Sequence, residues 1–184
     1  MTRNPFSFLA CALALCLAVS SPAAAQGDKA AKLDRDSRKA LSNLSAKVPA
    51  AKALGAKAHA ILVFPSITKA GLVIGGQYGE GALMKGGKTV GYYSTGGASY
   101  GLQAGAQKYG YALFFMKESA LKEIDKASGF EVGVGPSIVV VDEGMGKSST
   151  TTTMTSDIYA FIFSQKGLMA GLGIQGNKIS KIKP

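Results

Sequence analysis

Glycine recurs at spacings of two and four through much of this chain, and that pattern restricts the fold more than any other feature. Gly71, Gly75, Gly79 and Gly81 fall on one face of an extended segment, opposite Leu72, Ile74 and Tyr78. The same offset separates Gly97, Gly101 and Gly105 from Tyr100 and Leu102, and Gly133 and Gly135 from Val132 and Val134. It returns at Gly167, Gly171 and Gly173 against Leu168, Leu172 and Ile174. Side chains alternate along a strand, so each set lines a single face. Glycine weakens a strand interior, and its repetition there indicates close backbone approach or strong coiling. The expectation is a strongly curved antiparallel or mixed sheet, or a small barrel.

Helices precede this region. From Lys29 to Val48, Leu33, Ala40, Leu41, Leu44 and Val48 recur at helical spacing, with Ser37 completing the stripe. Lys29, Lys32, Arg35, Arg38, Lys39 and Lys47 occupy much of the remaining surface. Pro49 suits the first turn of a second short helix, Pro49 to Ala58. Ile61 to Phe64 reads as a short strand stopped by Pro65, and Lys117 to Ser128 as one intervening helix closed by Gly129. Ser137 to Val141 and Ile158 to Phe163 read as strands buried on both faces, with Asp142-Glu143-Gly144 as a turn. Ser148 to Thr153 is a hydroxyl-rich edge strand or loop. The class is α+β: N-terminal amphipathic helices (29–58) packed on a mainly β region (60–184) that contains one helix.

Residues 1–25 stand apart. Arg3, the apolar run from Phe6 to Val19, and Ala23-Ala24-Ala25 before Gln26 have the layout of a secretory signal peptide. The apolar run is shorter than the ~20 residues a membrane-spanning helix requires. Cys11 follows Ala10 too early for a lipoprotein site, and Cys16 follows the large Leu15, so lipid anchoring is the weaker reading. Removing residues 1–25 takes away both cysteines, Arg3 and no acid, so the formal charge of +10 becomes +9 and no disulfide is available. A single domain, 26–184, exported to the periplasm or secreted and possibly peripheral to a membrane, is the expectation.

Chemistry-bearing motifs are few. Residues Ala82 to Thr89 satisfy a relaxed phosphate-loop pattern, yet Val90 to Ser94 continues extended where a phosphate loop needs a helix, so Gly86-Gly87-Lys88 reads as a hairpin. The one histidine, His59, has no neighbouring ligand type and reads as a helix-end or packing residue. Glu80, between Gly79 and Gly81, is either a ligand-accessible carboxylate or a solvent-facing hairpin charge. No nucleophile–base pair or metal-ligand cluster emerges, so no catalytic residue, metal or cofactor is expected. The basic helix has two uses. It can lie against an anionic bilayer, or pack on the sheet with a solvated basic face that Asp28, Asp34 and Asp36 dilute. Nucleic-acid binding lacks any recognition motif.

Taken in order, several segments resemble the SYLF domain, a lipid-binding module of exported bacterial proteins, yeast and animal endocytic adaptors, and plant FYVE proteins. They are Ala58 to Gly71, Gly75 to Gly81, Tyr92-Tyr93-Ser94, Gly101 to Gln107, and Gly167 to Gly171. The likeness runs from about Leu41 onward and is strongest to the bacterial branch. It implies membrane-lipid binding, with phosphoinositides as ligands of eukaryotic members and an N-terminal amphipathic segment implicated. Residues 29–48 match that segment in position and chemistry. Some eukaryotic members bind actin. Their Trp-Ser-x-Pro-Ser segment is similar to Tyr93-Ser94-Thr95-Gly96-Gly97, which lacks Trp and Pro, and their late acidic residue corresponds to Gln175. Those departures argue against actin as a partner, and bacterial membranes argue against phosphoinositides.

The resulting expectation is a non-enzymatic, exported protein that associates with anionic phospholipid membranes. Lys29, Lys32, Arg35, Arg38, Lys39 and Lys69 would engage headgroups, while Leu33, Leu41 and Leu44 insert or pack. The alternative is a structural or interaction protein of the cell envelope that contacts a protein partner through its glycine-rich sheet.

Overall fold

The computed structural model describes residues 22–71, 74–100, 105–124, 130–131, 138–142, 156–167 and 178–184. Helix α1 (Pro22–Lys47) leads into α2 (Pro49–Gly55), and strands β1 (Ala60–Gly71), β2 (Ile74–Lys85), β3 (Lys88–Tyr100) and β4 (Gly105–Phe115) follow. Helix α3 (Glu118–Glu123) precedes β5 (Phe130–Glu131), β6 (Ile138–Asp142), β7 (Ile158–Gly167) and β8 (Lys178–Ile182). The strands form one sheet in the order β5-β8-β3-β2-β1-β4-β7-β6. Every pairing is antiparallel except that of β6 with β7.

Among the described residues the sheet is open, with β5 and β6 at its edges, which corrects the barrel alternative. Closure would need β5 and β6 to pair with each other, and each pairs on one side alone. The mixed-sheet alternative matches the parallel β6–β7 pair.

The break between the two N-terminal helices is local. Val48 adopts an extended conformation (φ −119°, ψ 101°), and Pro49 begins α2, where its missing N–H costs nothing. The β2–β3 connection is the Gly86-Gly87 pair, with φ of +56° and +77°. Two left-handed residues in a two-residue loop match the twist of the flanking strands, and glycine adopts that conformation without steric penalty.

Pro65 does not end β1. The strand continues to Gly71, and its register with both neighbours shifts around the proline, between Val63 and Ser66 on one side and Phe64 and Ile67 on the other. A residue without an N–H cannot complete the ladder, so the strand accommodates it as an irregularity instead of stopping. The stretch from Gly71 to Gly81 is likewise not one strand, because Gly71 and Gly75 face each other across the β1–β2 hairpin. Helix α3 is shorter than expected, with Ile124 already in a turn, and residues 125–129 lie outside the described set. Also outside it are residues 1–21, the stripes at Gly133–Gly135 and Gly171–Gly173, the segment Ser148–Thr153, and Gln175.

Two packed layers flank the sheet. One contains Leu44, Val48, Ala50, Ala51 and Leu54 from the N-terminal helices against Val63, Met84, Phe114, Tyr159, Phe161 and Phe163. The other joins Leu62, Phe64, Ile67, Tyr111, Leu113, Ile158 and Ile162 with Ala120 and Ile124 at α3. Residues 158–163 alternate between these layers, and all six are buried. That explains their unbroken apolar run.

The glycines of β2 act through what lies over them. A Cβ on Gly81 would sit 2.4 Å from the Val63 carbonyl oxygen and 2.7 Å from the Phe64 ring. On Gly79 it would meet Ile67 at 2.7 Å, and on Gly110 of β4 it would meet the Phe163 ring at 2.4 Å. Backbone and large side chains of adjacent strands therefore fill the space that a Cβ would take.

Candidate functional site

The surface that carries most of the expected binding residues is the outward side of α1 with the β2–β3 turn beside it. Its inward side is fixed by packing. Ser37 is buried and donates from Oγ to the Val63 carbonyl at 3.3 Å, next to the β1 irregularity. Leu44 is 2% exposed, Leu41 packs half-buried against the same layer, and Leu33 is half-buried. Leu44 is thus a packing residue: its side chain faces the sheet and is not free to enter a bilayer. Packing accounts for much of Leu41 as well.

The six cations behave differently from one another. Lys29 reaches from α1 to Glu80 of β2 with an Nζ–Oε1 distance of 3.0 Å. Lys32 pairs with Asp36 at 2.5 Å, one turn along the helix. Arg38 is the most connected: Nε donates to Asp34 at 2.9 Å, Nη1 to the Gly87 carbonyl at 2.6 Å, and Nη2 to Thr89 Oγ1 at 3.1 Å. Thr89 in turn donates to the other Asp34 oxygen. Arg35 and Lys39 are exposed and form no ion pair within 4.0 Å among the described residues. Lys69 is elsewhere. It is 1% exposed in β1, on the face away from α1, so its ammonium does not join this surface.

These contacts shift the carboxylates. Hydrogen bonds from Arg38 and Thr89 hold Asp34 below the ordinary carboxylate value. Burial pushes Glu80 upward, but hydrogen bonds from Lys29 and Tyr78, with the Lys29 charge, more than offset it and leave the group lowered. The Tyr78 hydroxyl donates to Glu80 at 2.8 Å and is raised, first by that bond and then by burial. Glu80 is therefore a half-buried tie between helix and sheet, neither an open ligand site nor a solvent-facing charge.

By clasping the Gly86-Gly87 turn, Arg38 ties to α1 a hairpin whose flanking Lys85 and Lys88 are both exposed. Sequence reading missed these two lysines as members of the surface because 49 residues separate Arg38 from its turn partner. Next to the clasp is a groove of about 540 Å³. Leu41, Ile61 and Met84 supply apolar walls, with Arg38 and His59 among its polar lining. Cationic and apolar surface thus meet at one place. Among the described residues no three His, Cys, Asp or Glu side chains gather as metal ligands. No described helix is long and apolar enough to cross a membrane.

Residues 96–183 match a family model described as Ysc84, Las17-binding protein actin regulator. That match supports the likeness of this stretch to the SYLF domain family. The match begins in β3 and takes in β4, α3 and every later strand. The SYLF family is linked to membrane-lipid and actin-related binding. No curated protein matches the chain by sequence. Helix α1, with its cations, precedes the matched segment.

Proposed function

We propose that this SYLF-like chain is an exported, non-enzymatic protein that adsorbs to anionic phospholipid surfaces through the basic side of α1 and the β2–β3 turn. One observation carries the reading: Arg35 and Lys39 are exposed without carboxylate partners among the described residues, and the Arg38 clasp ties to α1 a turn flanked by the exposed Lys85 and Lys88. An unneutralised cation near an anionic leaflet contributes about 1 kcal/mol, screened by salt. Lys29 and Lys32 contribute less because Glu80 and Asp36 already oppose their charge. Since the apolar stripe of α1 is engaged by the sheet, adsorption is electrostatic, with the groove beside Arg38 available to the apolar part of a headgroup or chain. The signal-like residues 1–25 support export and a periplasmic or secreted location.

Flotation with anionic and neutral vesicles tests this. Arg35→Gln/Lys39→Gln should lose about tenfold or more in partitioning to anionic vesicles, in line with about 1 kcal/mol per cation. Equal binding of the unmodified chain to neutral vesicles would sink the electrostatic reading. The second reading, a protein-binding role in the cell envelope, draws on the exposed far end of the sheet, where Thr68, Ala70, Gly76, Tyr78 and Ala98 are exposed. One stoichiometric cross-linked protein without retained lipid would favour it. Cosedimentation with actin filaments would show whether the actin-related side of the family extends to this chain.

A further inference from the structure

The face of the sheet away from α1 holds buried polar groups that membrane adsorption does not use. Lys69 alternates with exposed Thr68 and Ala70 and lies on the same buried face as Ile67. It pairs across the sheet with Gln107 of β4 and Gln77 of β2. Gln107 is 5% exposed, and its Oε1 is buried without a hydrogen-bond partner. One row along, Thr95 pairs with Gly79, which pairs with Ile67. The Thr95 Oγ1 is buried and unpartnered too, as is the Tyr111 hydroxyl on β4. Tyr109, between Gln107 and Tyr111 on that strand, donates to Gln77 Oε1 at 3.0 Å, a bond that reaches over β1.

Among the described residues no carboxylate comes within 4.0 Å of the Lys69 ammonium. A buried cation without a counter-charge is strongly disfavoured, and so is a buried hydroxyl or amide oxygen without a partner. Among the described residues both occur on one face. A metal ion does not fit, because Lys69 would repel it. An apolar ligand does not fit, because it leaves every polar group as it is. An oxyanion fits: it supplies the missing charge and acceptor lone pairs for the ammonium and the Thr95 and Tyr111 hydroxyls, and as a hydrogen phosphate its own O–H donates to Gln107 Oε1. Burial pushes the Tyr109 phenol up to about 12, so it remains a neutral donor. Phe64, Ile67 and Tyr93 belong to the adjoining apolar layer and would receive the non-polar part of such a ligand.

We infer that Lys69 is the centre of an internal oxyanion site, for a phosphate group, with Thr95, Gln107 and Tyr111 as its polar partners. The site does not depend on adsorption by α1. Its phosphate can belong to an acidic lipid headgroup or be the free anion. The full chain is titrated calorimetrically with inorganic phosphate and, separately, with dioctanoyl phosphatidic acid below its micellar concentration. Saturable one-to-one binding of at least one probe is expected, at least tenfold weaker in Lys69→Met and unchanged in Lys122→Gln, an exposed lysine of α3 outside both proposed surfaces. Saturation by phosphate assigns the free anion, and saturation by the lipid alone assigns the headgroup. No saturation with either probe, or Lys69→Met binding like the unmodified chain, overturns the inference. Should Lys69→Met fail to fold, the Lys69 side-chain amine resonance of the unmodified chain is followed through the same titrations. A saturable shift supports the site, and an unmoved resonance overturns it.

Discussion

Replacing Gly81 with alanine tests the proposed reason for the glycine stripe. The added Cβ would lie 2.4 Å from the Val63 carbonyl oxygen, an ångström short of the 3.4 Å at which ordinary contact begins, and 2.9 Å from its carbon. Both atoms are backbone, and Gly81 faces the point where β1 already departs from register, between Val63 and Ser66. Relief requires the two strands to separate. Overpacking costs about 1–3 kcal/mol. A weakened ladder bond adds about 1 kcal/mol. The gain from replacing glycine, about 0.5–1 kcal/mol, offsets only part of this. The net destabilisation is about 2 kcal/mol, which for a domain of this size lowers Tm by about 4–8 °C. Gly96→Ala on β3 is the control, since its nearest obstacle is the Gln77 carbonyl at 3.8 Å. It should be neutral or stabilise by up to about 1 kcal/mol. Urea unfolding followed by circular dichroism gives both values. If Gly81→Ala matches the unmodified chain, or both variants lose stability equally, the space-filling explanation is wrong.

Other expectations are shorter. Leu44→Ala should cost about 2–5 kcal/mol of stability while the folded protein partitions to anionic vesicles unchanged, because Leu44 faces the sheet. A parallel loss of vesicle binding would return Leu44 to the membrane. Asp34 is held below its ordinary 3.8, so its stabilising contribution is complete above that value and disappears as pH falls through the lowered native pKa. Asp34→Asn should therefore flatten the acid side of the urea-midpoint profile, and a curve parallel to that of the unmodified chain would contradict this. Raising ionic strength from about 0.1 to 1 M shortens the screening length from about 10 to 3 Å and should release the protein from vesicles. Retention at high salt would point to apolar insertion instead.

Local signals carried much of the fold. The stripe from Leu33 to Val48, the Pro49 start of α2 and the Gly86-Gly87 hairpin are all matters of spacing and backbone preference. So was the two-sided burial of residues 158–163. Pro65 misled because a missing N–H predicts a stop where the sheet permits a slip. The stripe across Gly71 and Gly75 misled because alternation continues in step through a hairpin. At the candidate site, the cations of α1 were legible, but their partners were not. Glu80, Gly87 and Thr89 are 49 to 51 residues from the side chains they engage. Lys69 reads as a headgroup ligand from its place in the family-like segment, whereas its burial follows from β1 continuing past Pro65.

The position of β8 has a consequence for how the sheet is completed. Residues 178–182 pair with Tyr92 to Gly96 of β3 on one side and with Phe130-Glu131 on the other. The β1–β2 and β2–β3 hairpins draw on residues close together in sequence, whereas β3 must wait about 80 residues for this neighbour, a separation that slows such pairings. Until β8 arrives, the backbone groups of β3 on that side form a vacant sheet edge able to accept a strand from another chain. Timely capture of that edge by five residues, Lys178 to Ile182, separates a self-contained sheet from one open to intermolecular pairing.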